Sequence, residues 1–353
     1  MSVKKRNFIR TLITYGVVIL AFVICQILIG NKMMSRSLKG QLVPICCYIV
    51  MAVSLNLTMG ISGELSLGHA GFMSIGAFSG VIFATWLKAL EPSMSDPARL
   101  MFAILIGGIL AGIAGVLIGI PVLRLRGDYL AIVTLAFGEI IKNVLNIVYF
   151  SLDGKKLHAS FNDPNLPGKF VFNGPAGTQS VTKIATFEAG FILVIFALFV
   201  VMNLVNSHSG RAIKAIRDNR IAAESTGVSV TRYKMMAFVT SAVLAGMAGA
   251  LFGLNYSTLQ ASKFGVDASI QVLVFVVLGG LGNILGSVIS ATVLYVLPEM
   301  LREFSQYRML LYAIILILVM VLGNNPALRG WGSGIIRKLR GKKEDGKEEA
   351  RHE

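Results

Sequence analysis

The feature that most constrains this chain is a series of apolar stretches, each long enough to cross a lipid bilayer. A helix needs about 20 predominantly apolar residues to span a hydrocarbon core of about 30 Å. Only 14% of the side chains are charged, against roughly 25% in a soluble domain. The stretches lie near residues 8–30, 41–59, 71–88, 99–122, 129–150, 187–205, 234–254, 266–298 and 309–323. The sequence therefore predicts an all-α polytopic membrane protein.

Glycine-rich sequence interrupts the apolar pattern at two places. The region 266–298 is too long for one ordinary span, and the segment 279–283, Gly-Gly-Leu-Gly-Asn, divides it into two short helices. This division brings the predicted number of spans to about ten and keeps both chain termini on one side. Between the second and third spans, the segment from Gly60 to Gly71 combines glycines with serines and a histidine. Unpaired backbone groups at membrane depth are tolerated only inside protein or beside a wet cavity.

These breaks allow two interpretations. Broken helices commonly line the substrate path of a transporter, whereas small residues also let two helices pack closely. In the pathway interpretation Ser62, Ser66 and His69 face water, because their polar groups would otherwise lack partners. The candidate pathway residues are Gly60, Ser62, Gly63, Ser66, Gly68, His69, Glu139, Gly279 and Gly280.

Two of the charged residues lie inside the fifth span. Glu139 and Lys142 are three residues apart and share one helix face. Glu139 lies ten residues beyond Tyr129, about 15 Å along a helix, and therefore near the middle of the bilayer. Ionisable groups at that depth are costly and normally face the bundle interior in pairs. The pair is either part of a pathway wall or a mutually neutralising structural pair.

The positive charge of the chain indicates its orientation. Lys and Arg number 33 against 18 Asp and Glu, which gives a net charge of +15. No aromatic-interleaved basic stripe or nucleic-acid module accompanies this charge, so nucleic acid is not an expected partner. Lys and Arg accumulate on the cytoplasmic side of membrane proteins, and their distribution here places both termini inside. No small-x-small cleavage site follows the first apolar stretch, which we expect to remain as a membrane helix.

The chain divides into three parts. Residues 1–40 hold the first membrane helix and a loop, residues 41–325 form the core, and residues 326–353 form a basic and polar tail with a disordered end. Within the core, the outside loop 151–186 is rich in proline and glycine, so we expect it to be irregular. It is either a partner-docking or gating surface or a mobile connector.

The inside loop 206–233 contains a predicted helix over residues 211–226. Ser209 is placed to cap its start and Gly227 to end it. Ile213, Ile216 and Ala223 share one side, so the helix is basic and only partly amphipathic. From physical chemistry alone, it could equally lie on anionic lipid headgroups.

Signals for enzyme chemistry are weak. Residues 60–63, Gly-Ile-Ser-Gly, match the Gly-x-Ser-Gly of intramembrane serine proteases, and His69 is the only histidine near them in sequence. No phosphate-binding loop is present, so we do not expect this chain to hydrolyse ATP. Cys25, Cys46 and Cys47 lie in apolar stretches without metal-ligand spacing. We predict no catalytic residue, metal or cofactor.

Four motifs occur in a fixed order along residues 45–325. They are LNLTMGISGELSLGHAGF (55–72), LRLRGDYLAIVTL (123–135), SGRAIKAIRDNRIAAESTG (209–227) and GGLGNILG (279–286). Together they resemble the permease subunits of ABC importers, specifically the branched-chain amino acid family. The second motif resembles the M-type subunit (LivM family) rather than the shorter H-type.

The resemblance implies an ABC importer permease fold and a non-catalytic subunit of a multi-pass protein in the prokaryotic cytoplasmic membrane. It implies as partners a second, H-type permease subunit, two ATPase subunits and an extracytoplasmic binding protein. In that family the cytoplasmic loop helix docks on the ATPase, which maps onto Arg211, Ala212, Arg217, Ala223, Glu224 and Gly227. The implied solute is leucine, isoleucine, valine or a related small amino acid. The alternatives are a permease for urea or short amides and an ion-coupled secondary carrier, which would also show broken helices and a buried carboxylate.

Overall fold

Long apolar helices make up most of the structure. The computed structural model describes residues 3–31, 35–125, 127–161, 166–179, 181–301 and 307–324. Its helices are α1 Val3–Gly30, α2 Arg36–Asn56, α3 His69–Leu90, α4 Asp96–Val122, α5 Asp128–Ile147, α6 Phe187–Asn206, α7 His208–Asp218, α8 Arg220–Ser225, α9 Val230–Gly253, α10 Val266–Gly279, α11 Ile284–Met300 and α12 Arg308–Asn324. Its strands are β1 Val148–Asp153, β2 Lys156–Phe161 and β3 Lys169–Asn173. The chain up to Val296 folds as one unit, and α12 belongs to a second unit.

The predicted helical membrane architecture is confirmed. Within the described residues, eight helices are long and apolar enough to cross a membrane, and α11 is a shorter apolar helix. The expected division of the region 266–298 is also confirmed, because α10 ends at Gly279 and α11 begins at Ile284. Gly280 and Gly282 between them have φ values of +90° and +80°, which an L side chain rarely adopts. The tail 326–353 lies outside the described residues.

Glycine and alanine form the contact between α3, α4 and α9. Gly249 of α9 lies against the backbone of Met73 in α3, where an added Cβ would overlap the Met73 carbonyl oxygen. A Cβ added to Gly107 of α4 would lie only 2.9 Å from the Cβ of Ala250 in α9. Helices in lipid gain little from hydrophobic exclusion, so van der Waals contact at small residues holds them together. This packing fixes three helices as the rigid part of the unit.

A three-stranded antiparallel sheet in the order β2-β1-β3 covers the first part of the segment 151–186, which was predicted to be an outside loop. The expectation that residues 151–186 are irregular was therefore wrong for their first part. Asp153 pairs with Lys156 across a two-residue turn, and Gly154 in that turn has a φ of +61°. Glycine at the first position of a two-residue turn between two strand-like runs is a hairpin signal, and the sequence interpretation based on proline content missed it.

The segment 206–233, predicted to be an inside loop, also differs from its predicted form. Instead of one helix over 211–226, α7 ends at Asp218 and α8 starts at Arg220. Asn219, with φ −154° and ψ 105°, leaves helical geometry and caps α8 by accepting a hydrogen bond from the Ala222 N–H at 3.1 Å. The cap of α7 is Ser207 rather than Ser209, since the Ser207 hydroxyl accepts from the Gly210 N–H at 3.1 Å.

We predict that Gly249→Ala destabilises the protein although alanine is the better helix former. The new methyl group has to displace the Met73 carbonyl, whereas in an open helix the same change stabilises by about 1 kcal/mol. The matched control is Gly40→Ala in α2, where an added Cβ meets nothing within 4 Å. Thermal unfolding in detergent should show a Tm several degrees lower for Gly249→Ala only. Equal Tm values would contradict close packing at this contact.

Candidate transport and coupling site

The first break is a π-helical segment, Leu57–Ile61, followed by irregular backbone up to Gly68. The Ser62 N–H bonds to the carbonyl of Leu57 at 3.0 Å, five residues back, and the Glu64 N–H bonds to the carbonyl of Thr58 at 3.0 Å. Gly63 has a φ of +77°, which lets the chain leave the helix there. Single π turns of this kind occur frequently at functional sites.

The two glycine-rich breaks contact each other through Asn56. The Asn56 side-chain oxygen accepts a hydrogen bond from the Gly282 N–H at 2.8 Å, and its amide nitrogen donates to the Ser287 hydroxyl at 2.7 Å. Gly60 lies in the same contact, where an added Cβ would overlap both the Asn56 side chain and the Gly282 nitrogen. Sequence reasoning missed Asn56, although a buried amide within an apolar helix is itself a signal for a specific polar partner.

Arg217 connects α7 to the first break. Its Nη1 donates a hydrogen bond to the Gly60 carbonyl at 3.0 Å, and its Nη2 contacts the Asp218 carboxylate at 2.9 Å. Its Cγ would lie 2.7 Å from a Cβ at Gly63, so the aliphatic part of the side chain needs a glycine beneath it. A predicted coupling residue and two predicted pathway residues therefore form one contact.

Gly279 and Gly280 shape the second break. A Cβ on Gly279 would lie 2.5 Å from the backbone of Gly286 and Ser287, so the end of α10 packs directly on the first turn of α11. The Gly280 N–H bonds back to Val277 at 3.1 Å, and Asn283 bonds to the Gly280 carbonyl at 2.9 Å.

The remaining coupling candidates lie on both faces of the α7–α8 segment. Arg211, Glu224 and Gly227 are exposed, and Glu224 pairs with Arg220 at 3.1 Å. Ala212 and Ala223 are buried, so they hold the segment against the protein and do not present themselves to a partner. Ile221 on α8 is 81% exposed.

A Schellman motif ends α8. The Gly227 N–H bonds to the Glu224 carbonyl at 3.0 Å, and the Val228 N–H bonds to the Ala223 carbonyl at 3.1 Å. Gly227 adopts a φ of +82°, and Val228 packs on the buried side of the segment with Ala223. The expectation that Gly227 ends the segment is confirmed.

The serines of the first break are buried within this chain. Ser62, Ser66 and Thr58 are each 2% exposed, and their hydroxyls have no hydrogen-bond partner among the described residues. A buried hydroxyl without a partner costs free energy, and in native proteins it commonly marks a water or ligand contact. These side chains do not face an open aqueous surface in this conformation, so their pathway role remains a prediction.

His69 and Gly68 serve the packing of α3. The His69 ring nitrogen Nε2 and the Ser54 hydroxyl form a hydrogen bond of 2.8 Å inside the protein, so the ring is engaged with Ser54 and not with Ser62. Gly68 lies against the backbone of Thr134 in α5, whose hydroxyl accepts from the Leu67 N–H at 3.0 Å. The alternative of a glycine packing surface therefore applies to this end of the segment.

Glu139 and Lys142 form an ion pair, as their spacing predicted. Their side chains are 29% and 23% exposed, and a Cβ at Gly265 would lie 3.6 Å from the Glu139 carboxylate. The pair therefore faces the residue that precedes α10. This geometry fits the structural interpretation, and its part in a pathway remains a prediction.

A second and more buried ion pair was not anticipated. Glu64, in the irregular part of the first break, pairs with Lys234 in the first turns of α9, and the two side chains are only 11% and 12% exposed. Two charges removed from water in this way require each other, because either one alone would be left unpaired. The pair ties the first break to the helix that follows the α7–α8 segment.

We predict a strong energetic coupling between Glu64 and Lys234. Glu64→Gln or Lys234→Met alone should lower stability by about 3 kcal/mol, because each leaves an uncompensated buried charge. The double variant should regain much of that loss in a double-mutant cycle followed by thermal unfolding. Arg220→Met and Glu224→Gln, an exposed pair, provide the control cycle with a coupling below about 0.5 kcal/mol. Additive losses at Glu64 and Lys234 would show that the two charges do not depend on each other.

Comparison with known proteins identifies the family. Residues 38–322 match the model of the branched-chain amino acid transport system/permease component family. The high-affinity branched-chain amino acid permease protein LivM of Salmonella typhimurium is 33% identical over 296 residues, which cover 78% of this chain and 66% of the relative. LivM of Escherichia coli aligns with the same values, and LivH of Salmonella typhimurium is 30% identical over 145 residues, or 40% of this chain and 44% of the relative.

The chain therefore spans just under two thirds of the length of the LivM proteins that it matches. No solved structure matches it. Because the family model covers most of the chain, including both breaks and the α7–α8 segment, the chain belongs to the branched-chain amino acid transport system permease family.

Proposed function

We propose that this chain is a membrane-spanning subunit of an ATP-driven importer and forms part of the translocation pathway for leucine, isoleucine, valine or a related small amino acid. The observation that carries the proposal is the contact of Arg217 with the Gly60 carbonyl, which links the segment proposed to meet an ATPase to the first helix break, itself joined to the second break by Asn56. A movement of α7 would act directly on backbone whose hydrogen bonds already depart from a regular helix.

The pathway is proposed to run along the first break. Thr58, Ser62 and Ser66 supply three buried hydroxyls with no partner among the described residues. A neutral zwitterion needs small dipolar contacts and an apolar wall, and hydroxyls with free hydrogen-bonding capacity suit it better than a titrating carboxylate. An opening of the break would turn these hydroxyls towards the solute.

The exposed face of the α7–α8 segment is proposed to bind an ATPase subunit. Arg211, Ile221 and Glu224 supply a cation, an exposed apolar side chain and an anion on a segment held rigidly by Ala212 and Ala223. The proposed complex contains a second, H-type permease subunit, two ATPase subunits and an extracytoplasmic binding protein. Both termini of this chain are proposed to lie in the cytoplasm, on the side of this segment.

The function is tested by reconstitution into liposomes. We expect ATP-dependent uptake of radiolabelled leucine only when this chain is assembled with its permease partner, the ATPase subunits and a loaded binding protein. An ion-coupled carrier would instead transport with this chain alone, driven by a proton or sodium gradient. Gradient-driven uptake without ATP, or uptake of urea in preference to leucine, would contradict the proposal.

Arg217→Gln should uncouple the assembled transporter. Loss of a charge-assisted hydrogen bond to Gly60, worth about 1.5–3 kcal/mol, should lower the ratio of leucine uptake to ATP hydrolysis at least tenfold. The matched control is Arg220→Gln, which removes the same charge three residues away, where the partner of the side chain among the described residues is Glu224 of α8. Parallel measurement of uptake and phosphate release distinguishes the two variants. An unchanged ratio in Arg217→Gln would show that this contact does not transmit the motion.

A further inference from the structure

A cavity of about 550 Å³ opens beside α7. Three helices and α7 enclose it: Thr14 lies on α1, Asn206 ends α6, Lys214 and Arg217 belong to α7, and Leu285 lies in the first turn of α11. Sequence reasoning gave Lys214 no role, and the proposed transport cycle leaves it without one. The cavity is mixed in character, with polar and apolar groups on its walls.

The charge lining this cavity is positive. Lys214 uses one of its three donors on the Val205 carbonyl, at 3.1 Å, and Arg217 contacts Asp218 on its exposed side. Among the described residues that line the cavity there is no Asp or Glu. Burial, and then the nearby charge of Arg217, lowers the pKa of Lys214 below its usual value. An anion in the cavity would offset both effects.

An apolar groove of about 410 Å³ lies farther along the same three helices, α1, α6 and α11. The cavity is lined by Thr14 on α1, Met202 on α6 and Leu285 on α11. The groove is lined by the next stretches of the same helices, namely residues 17–25, 187–194 and 288–296. All three helices therefore pass from the polar cavity to the apolar groove in the same spatial direction. The fourth wall of the groove is α2, through residues 38–49.

The dimensions of the groove match one leaflet of a membrane. Val17 to Cys25 covers about 12 Å along α1, close to the half-thickness of about 15 Å that the hydrocarbon core offers to acyl chains. The helix α1 is held loosely here, since only 11% of its apolar, membrane-crossing stretch is buried within the protein. The ring of Phe22 in α1 stacks on the ring of Phe191 in α6, with the two centroids 3.9 Å apart, and both residues line the groove.

We propose that this cavity and groove together bind one anionic phospholipid, with its phosphate beside Lys214 and Arg217 and an acyl chain in the groove. A basic pocket between membrane helices next to an apolar groove is the arrangement that suits such a headgroup. The choline group of a zwitterionic lipid would add a positive charge beside Lys214 and Arg217. The described residues that line the cavity offer it no carboxylate as a partner. The lipid would therefore occupy the junction between α1, α7 and the second break, whose residues 281–283 also line the cavity.

The headgroup part is tested by native mass spectrometry of the full chain in detergent, with equal amounts of phosphatidylglycerol and phosphatidylcholine carrying identical acyl chains. We expect the wild type to prefer phosphatidylglycerol, and Lys214→Gln to reduce that preference roughly fivefold, the value of one basic residue near an anionic surface. Lys214→Arg should keep the preference. The control Arg232→Gln removes the same charge from an exposed position outside the cavity and should change nothing. Equal loss in Arg232→Gln, or none in Lys214→Gln, would overturn the site.

The acyl part is tested by Ala21→Trp, which fills the groove. Ala21 is exposed on α1 and lines the groove, so the change should leave folding intact and weaken binding of both lipids at least fivefold while their ratio stays constant. Water-soluble glycerophosphoglycerol, the headgroup without acyl chains, should not displace the lipid at equal concentration. Displacement by this headgroup would show that a soluble anion is the true occupant, and unchanged binding in Ala21→Trp would show that the groove holds no chain.

Discussion

Backbone that leaves a helix inside a membrane must find its hydrogen-bond partners within the protein, and the rest of this structure depends on how that requirement is met. The two breaks partly satisfy each other: Asn56 at the end of α2 accepts from Gly282 between α10 and α11, and Arg217 donates to Gly60. Glycine is required at these contacts because any Cβ on Gly60 would displace the partner backbone. The first break therefore cannot move without changing the contacts of the second break and of α7.

The packing around the breaks determines which parts can move. Close contacts at Gly249 and Gly107 hold α3, α4 and α9 together, because displacement would expose voids or force backbone groups into collision. The buried pair of Glu64 and Lys234 then fixes the irregular backbone to the start of α9. Among the described helices long enough to cross a membrane, α1 is the least buried, with 11% of its apolar stretch inside the protein, so it is the element with the fewest restraints on its motion.

Most of the helical architecture could be predicted because bilayer thickness sets a length that the sequence displays directly. The break at residues 279–283 was predictable for the same reason, since a region too long for one span contained residues that end helices. Contacts between distant segments were not predictable: neither Asn56 with Gly282 nor Glu64 with Lys234 has a periodic signature, because their partners are brought together only by the fold. The division at Asn219 was missed because alanine and isoleucine on both sides favour helix, while the capping geometry of one asparagine outweighs that propensity.

The choice of arginine at position 217 follows from the two demands on that side chain. Its aliphatic stem crosses the surface of the first break over Gly63. Its guanidinium then has to reach the Gly60 carbonyl and also remain beside Asp218. A planar guanidinium meets both demands with separate nitrogens in one fixed geometry, whereas the three N–H donors of a lysine share one nitrogen and would have to reach both acceptors from a single point. Arg217 lies at the end of α7, immediately before the capped turn at Asn219, so its guanidinium contacts the first break from the junction between α7 and α8. The proposed coupling thus depends on one arginine side chain that joins α7 to the first break.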